Sequence, residues 1–168
     1  VDATLHVPLA VGAHPDHRLV HEAGRHLGAS HHVRFYEDVP YALESALVES
    51  RLSVLGERPG PKAYSVARGL ARLAFKGIGR AISILPLLLY VSISEATRRA
   101  NARWKGARAS LFLSPVDHDI GAFVGRKVHA MRLYRSQTPL FFENESALAN
   151  ELPRRDGIFV ERSWRCTP

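Results

Sequence analysis

The chain has 168 residues, of which 46% are hydrophobic and 23% charged, a composition that excludes a wholly disordered chain and suits one hydrophobic core. Its single cysteine, Cys166, excludes an internal disulfide and a metal site built from several thiolates. The 23 Lys and Arg residues outnumber the 16 Asp and Glu residues, and the net charge of +7 favours anionic partners such as acidic substrates, lipid surfaces or nucleic acid.

The beginning of the chain does not resemble a signal peptide, because no basic, apolar and small-residue series follows Val1. A first residue other than methionine indicates a processed or truncated piece. The single cysteine favours a cytoplasmic protein, with association at a membrane surface as the alternative.

Strand and helix patterns alternate in the first third of the chain. Residues 4–12 are rich in apolar and β-branched types and end in glycine, which predicts a buried strand. A helix is predicted over 16–27, a second strand over 33–36 and a second helix over 41–48. The first helix is indicated by apolar residues at helical spacing: Leu19, Val20, Ala23 and Leu27. The pattern predicts an α/β fold whose strands pair in parallel through right-handed crossovers.

The middle of the chain departs from this alternation. Residues 52–64 contain several Gly and Pro residues and predict a loop. A helical insertion is predicted over 66–108, with a break or kink at Pro86. The apolar run 81–93 is about 13 residues long, too short for a membrane span, which needs about 20. The first half of the insertion carries cations four residues apart on one face: Arg68, Arg72, Lys76 and Arg80.

Two helices and a strand are predicted in the last third. Asp119 is the expected N-cap of a helix that continues to about Tyr134. Ser146 is the expected cap of a short helix, and residues 157–164 predict a closing strand.

The chemistry is concentrated where the first predicted strand ends, at His14-Pro15-Asp16-His17. Parallel sheets gather their sites at the carboxyl ends of strands, and a catalytic zinc takes about three protein ligands and one water. One histidine can bind a metal while the other faces the substrate, and Asp16 can fix a histidine tautomer. The alternative is an exposed loop that binds no metal, because nine histidines in the chain make chance pairs common. The other histidines, including His21, are interpreted as incidental.

Two acidic residues, Glu37 and Asp38, follow the second predicted strand. They either cap the following helix or bind substrate hydroxyl groups. Near the carboxyl terminus, Glu161 and Trp164 are interpreted as structural residues that close the core.

Four segments, PLAVGAHPDHRLVHEAG, RFYEDVPYAL, KVHAMRLYRSQ and FVERSW, resemble in content and order the second half of the PIG-L (LmbE-like) family of zinc-dependent N-deacetylases. The resemblance implies a Rossmann-like three-layer α/β/α fold with a mostly parallel sheet, incomplete at its amino-terminal side. Residues 1–168 would then be a single, partial domain with the helical insertion over 66–108. The resemblance also implies a hydrolase that removes acetyl from an N-acetylglucosamine-like amino sugar or a glycolipid-like conjugate. It implies that His17 is a ligand of Zn²⁺ or another divalent metal, and that His14 polarises the scissile carbonyl or protonates the leaving amine. Asp16 would orient or tune these histidines.

The resemblance also implies substrate-binding residues, for which Arg18, Glu37, Asp38 and Gln137 are the candidates. The family's first motif, of AHPDDE type, supplies two metal ligands and a general base, and it does not occur in this sequence. We therefore expect the remaining ligands to come from a missing amino-terminal segment and the isolated chain to be inactive.

The alternative function is a catalytically silent module that binds a membrane surface or a glycan through the basic face of the 66–108 insertion. Nucleic-acid binding is not expected, because net charge alone favours it. The sequence contains no aromatic-rich basic strand and no recognised DNA-binding motif.

Overall fold

The computed structural model describes residues 3–56, 113–135 and 138–166. The strands of this part are β1 (Thr4–Pro8), β2 (His32–Tyr36), β3 (Leu113–Asp119), β4 (Arg154–Arg155) and β5 (Ile158–Cys166). Its α-helices are α1 (Pro15–Leu27), α2 (Ser45–Val54), α3 (Val124–Arg132), α4 (Thr138–Phe141) and α5 (Glu145–Glu151). The predicted insertion 66–108, its basic face and Gln137 lie outside the described residues. No helix within the described ranges has the length and apolar character needed to cross a membrane.

The predicted α/β unit at the start of the chain is present. β1 and β2 pair in parallel, from Thr4 opposite His32 to Pro8 opposite Tyr36, and α1 connects them. The helix lies close to the sheet because Gly24 has no side chain, and a Cβ atom there would be 2.7 Å from Val7 Cγ2. This close approach places the first turn of α1 above the carboxyl ends of both strands.

The prediction of a mostly parallel sheet is wrong for the described strands, which form a mixed five-stranded sheet in the order β1-β2-β5-β3, with β4 paired to β5. β5 runs antiparallel to β2, β3 and β4. Opposite charges stabilise the β3–β5 register, because Arg162 Nε and a terminal nitrogen donate to the two Asp117 oxygens at 2.6 and 3.1 Å. The expectation does not hold for β5, which follows β4 through the Asp156-Gly157 turn and therefore runs back antiparallel to it.

The core of the sheet is aliphatic and aromatic, with Phe35 and Trp164 opposite each other on β2 and β5 and both 1% exposed. The prediction that Trp164 closes the core is confirmed. A smaller cluster under the carboxyl-terminal helices contains Val128, Phe141, Phe142, Leu148 and Leu152.

The apolar residues that indicate α1 are not the residues that α1 buries. Leu19 is 74% exposed, and Val20 and Leu27 are also exposed. The buried positions are His21 and Gly24, which face β1 and β2. The spacing of these apolar residues therefore indicates the helix but not the face that packs on the sheet.

Several predicted boundaries are also wrong. The helix expected over 41–48 is a 3-10 turn over Tyr41–Leu43 followed by α2, so residues 52–54 belong to a helix rather than to the predicted loop. Neither Glu37 nor Asp38 caps α2, whose N-cap residue is Glu44.

The two expected caps in the last third are replaced by other residues. Asp119 ends β3, and its Oδ1 accepts from Gly121 N at 2.8 Å, so that α3 begins only after a 3-10 turn. Asn144 rather than Ser146 caps α5, because its Oδ1 accepts from Ala147 N at 2.9 Å. The side chain of Asn144, two residues before Ser146, accepts the hydrogen bond from a backbone N–H that has no partner within the helix.

Candidate functional site

The loop between β1 and α1 has an unusual backbone that brings it to the end of β2. Ala10 and Ala13 have φ values of 62° and 56°, in the left-handed region that costs a non-glycine residue about 1–2 kcal/mol. Gly12 lies against Tyr41, whose ring occupies the space that a Cβ atom would need. Strain of this kind persists where surrounding contacts enforce it, and it is common at functional sites.

The central contact of the site joins α1 to the end of β2. His17 Nδ1 lies 3.0 Å from Asp38 Oδ2, and Asp38 Oδ1 accepts from Ala10 N at 2.9 Å. The Asp38 side chain is 2% exposed, whereas that of His17 is 37% exposed. Because an ionised carboxylate only accepts hydrogen bonds, Nδ1 of His17 carries the proton, and Nε2 of the neutral ring has a free lone pair.

His14 has the complementary tautomer. It is the N-cap of α1, and its Nδ1 accepts from Asp16 N at 3.3 Å. An accepting Nδ1 places the proton of the neutral ring on Nε2. The ring centroids of His14 and His17 are 5.4 Å apart. Two neighbouring imidazoles therefore present one N–H donor and one lone pair.

The electrostatics of the two carboxylates differ. The hydrogen bond to Asp38 raises the pKa of His17, partial burial opposes this shift, and the charges of Asp38 and then Asp16 add to it. The Asp16 side chain is 86% exposed, and its Oδ2 is 3.9 Å from His14 Nδ1. Asp16 therefore acts on the histidines through charge and through its backbone N–H, and Asp38 through a direct side-chain contact.

The remaining predicted residues lie outside this group. Arg18 is an exposed residue of α1 whose backbone N donates to His14 O at 2.9 Å. Glu37 Oε1 accepts from Trp164 Nε1 at 3.0 Å, and burial raises the pKa of Glu37 although this hydrogen bond opposes the shift. Glu37 also lines a cavity of about 330 Å³ together with Asp117 and Arg162. The structure therefore brings together His14, His17 and Asp38.

Sequence reasoning missed two buried residues that support the loop. His21 is fully buried, with Nδ1 3.1 Å from Pro8 O and its ring 4.7 Å from that of Phe35. Burial and the charge of Arg51 lower the pKa of His21 to about 3. Arg51, itself 1% exposed, donates from Nε to Leu9 O at 2.7 Å. The only sequence signal for His21 is its position one helical turn after His17.

His17 is the candidate metal ligand of this site. Within the described ranges, no three His, Cys, Asp or Glu side chains are grouped to hold a metal ion. Comparisons of the chain with models of protein families, with curated proteins and with solved structures found no match. Support for a function therefore comes from the geometry of the site and from the resemblance of the sequence motifs to those of the PIG-L (LmbE-like) family.

Proposed function

We propose that this chain carries part of the active site of a zinc-dependent N-deacetylase of PIG-L type, which removes acetyl from an N-acetylglucosamine-like amino sugar or glycolipid-like conjugate. The observation that supports it best is the pair of ring contacts at the site: Asp16 N donates to His14 Nδ1 at 3.3 Å, and His17 Nδ1 lies 3.0 Å from Asp38 Oδ2. With these contacts the two neutral rings would present one N–H donor and one lone pair. Amide hydrolysis needs an activated water, compensation of oxyanion charge and protonation of the departing nitrogen. The lone pair of His17 Nε2 could bind a cation, and the neighbouring His14 Nε2–H could donate to an oxyanion, so the pair suits these needs.

The donor set of the site fits one ligand of a zinc ion. Neutral imidazole is a common zinc ligand, and a zinc-binding histidine usually donates its second ring N–H to a carboxylate, as His17 does to Asp38. The other ligands and the general base are proposed to come from an amino-terminal segment of the same protein. When bound, the zinc ion would activate water and polarise the acetyl carbonyl.

The residues of the chain have distinct roles in this proposal. His14 donates a hydrogen bond from Nε2 to the developing oxyanion. It serves as the general acid in its imidazolium form, which gives one proton to the leaving amine and returns to the neutral ring. Asp38 is a positioning residue, because its buried carboxylate holds the His17 ring and is itself held by Ala10 N. The exposed Arg18 is proposed to contact the substrate, as is Gln137. The whole domain is proposed to be a Rossmann-like three-layer fold, of which β1–α1–β2 is one unit.

The test uses the full-length gene product and measures both its zinc content and its release of acetate from N-acetylglucosamine conjugates. His17→Ala is expected to lower zinc content and abolish turnover. His14→Ala is expected to retain zinc but lower kcat by about 10²–10⁴-fold, the range typical of a general acid or base. His26→Ala, which changes an exposed histidine of the same helix, is the matched control. Unchanged zinc and turnover in His17→Ala would refute the ligand assignment.

A further inference from the structure

The outward face of α3 combines exposed apolar residues with cations. Phe123, just before the helix, is 54% exposed, and Leu133 and Tyr134, just after it, are 66% and 64% exposed. The Arg126 guanidinium lies 5.8 Å from the centroid of the Phe123 ring. Positions 123, 126 and 130 recur at helical spacing, and Leu133, Tyr134 and Arg135 follow in the turns that end the helix. We call the exposed surface formed by Phe123, Arg126, Leu133, Tyr134 and Arg135 the α3 outer face.

The cations of this segment are of two kinds. Lys127 pairs with Glu161 of β5 at 2.9 Å, and Arg132 pairs with Glu145 of α5, so both attach the helix to the rest of the fold. Arg126 and Arg135 are exposed and make no ion pair with a described carboxylate. Residues 120–135 contain four Lys and Arg residues and no Asp or Glu. The charge available on the α3 outer face is therefore entirely positive.

We propose that the α3 outer face docks the protein on an anionic lipid bilayer. In such a contact Phe123 and Leu133 enter the interfacial region, while Arg126 and Arg135 pair with headgroup phosphates. Each end of the face combines an exposed apolar residue with an exposed arginine: Phe123 with Arg126, and Leu133 with Arg135. At 1.5 Å per residue they are separated by about 15 Å, so a flat surface can contact both at once. This separation favours a bilayer over a small ligand.

The helix α3 is attached to the strand that neighbours the candidate site. Lys127 of α3 pairs with Glu161 of β5 at 2.9 Å, and Glu37 N, next to Asp38 in the chain, donates to Arg162 O of β5 at 3.3 Å. Docking would place the site at the membrane surface, a consequence that rests on the proposed function, whereas the docking itself does not.

The test is cosedimentation of the full chain with phosphatidylcholine vesicles, with and without phosphatidylserine in about a 3:1 ratio. The wild-type chain is expected to bind the anionic vesicles and to lose binding as salt is added. The double variant Phe123→Ser/Leu133→Ser is expected to bind about tenfold more weakly. Arg126→Glu is expected to lower binding by at least about fivefold, since each cation near an anionic surface contributes about 1 kcal/mol.

Two matched controls locate the surface. Leu19→Ser removes an apolar side chain that is more exposed than Leu133, and Arg165→Glu makes the same charge change as Arg126→Glu on an exposed residue of β5. Both controls are expected to bind like the wild type, and circular dichroism melts establish that every variant is folded. Equal binding by the α3 variants and the controls would overturn the proposal. The proposal would also be overturned if the wild-type chain did not bind vesicles and sedimentation showed a dimer that the α3 variants lose.

Discussion

His17 and His21 lie one turn apart on α1, yet their environments shift their pKa values in opposite directions. His17, in the first turn, contacts a carboxylate and remains partly exposed, so its pKa is raised. His21, in the next turn, is enclosed by Phe35 and the Pro8 carbonyl, and burial and the charge of Arg51 lower its pKa to about 3. Residue type is therefore a poor guide to function here, because the partner on the sheet decides which imidazole can bind a ligand.

His17 belongs to the candidate site, whereas His21 supports the helix that carries it. The free Nε2 of His17 faces a partly open position, whereas Nε2 of His21 is buried and has no hydrogen-bond partner among the described groups. A buried nitrogen without a partner costs free energy, and the packing of the ring must offset that cost. The second turn of α1 therefore holds the helix on the sheet, and the first turn is free for chemistry.

The largest expected effect is on stability. His21→Ala is expected to lower the free energy of unfolding by about 3 kcal/mol at pH 7.5, because it leaves a cavity beside Phe35 and removes the donor to Pro8 O. His17→Ala is expected to cost only about 1 kcal/mol, since its ring is partly exposed and Asp38 keeps its contact with Ala10. Urea denaturation measures both values. Equal losses would remove the distinction between the two turns.

The next effect is a pH dependence that arises from His21. Its pKa is about 3 in the folded chain and 6.5 in the reference state, so between these values the unfolded chain binds a proton that the folded chain does not. The contribution of His21 to stability therefore falls as the pH is lowered below 6.5, by about 1.4 kcal/mol per pH unit and thus about 2 kcal/mol at pH 5. The raised pKa of His17 acts in the opposite direction over the same range. Urea midpoints between pH 7.5 and 5 measure this slope.

The matched variants assign that slope to one ring. His21→Asn keeps an N–H donor but no titratable group, and we expect it to show a shallower acid dependence than the wild type. His26→Asn, at an exposed position of the same helix, is expected to keep the wild-type slope. A wild-type slope in His21→Asn would assign the acid sensitivity to other groups.

The sequence predicts the β1–α1–β2 unit better than it predicts β3 and β5, and the reasons are physical. β1, α1 and β2 were predictable because local signals coincide: β-branched runs, Pro15 at the start of the helix and Gly28 at its end. β3 was missed because Leu113–Asp119 includes a proline and three charged or titratable residues, and its register depends on Arg162, far away in the sequence. Asp156-Gly157, between β4 and β5, is a sequence typical of a two-residue hairpin turn, although no hairpin was predicted there.

The candidate site shows the same division. The motif His14-Pro15-Asp16-His17 is local, and its predicted position after the first strand and at the start of the first helix agrees with the structure. Asp38 was assigned to substrate because its partner, 21 residues away, is set by how α1 crosses β2. The role of His21 depends on a close approach at Gly24 that no sequence period encodes.

The smallest expected effect tests the partner directly. Asp38→Asn keeps the shape of the side chain and removes its charge, so the pKa of His17 is expected to fall, because its hydrogen bond to a carboxylate and the attraction of that charge are both lost. The pKa of His21 is expected to stay near 3, since burial and Arg51 determine it. Histidine ring signals followed by NMR through a pH titration measure both values in one sample. If the pKa of His17 did not move, its orientation would have to come from the helix rather than from Asp38, and Asp38 would lose its positioning role.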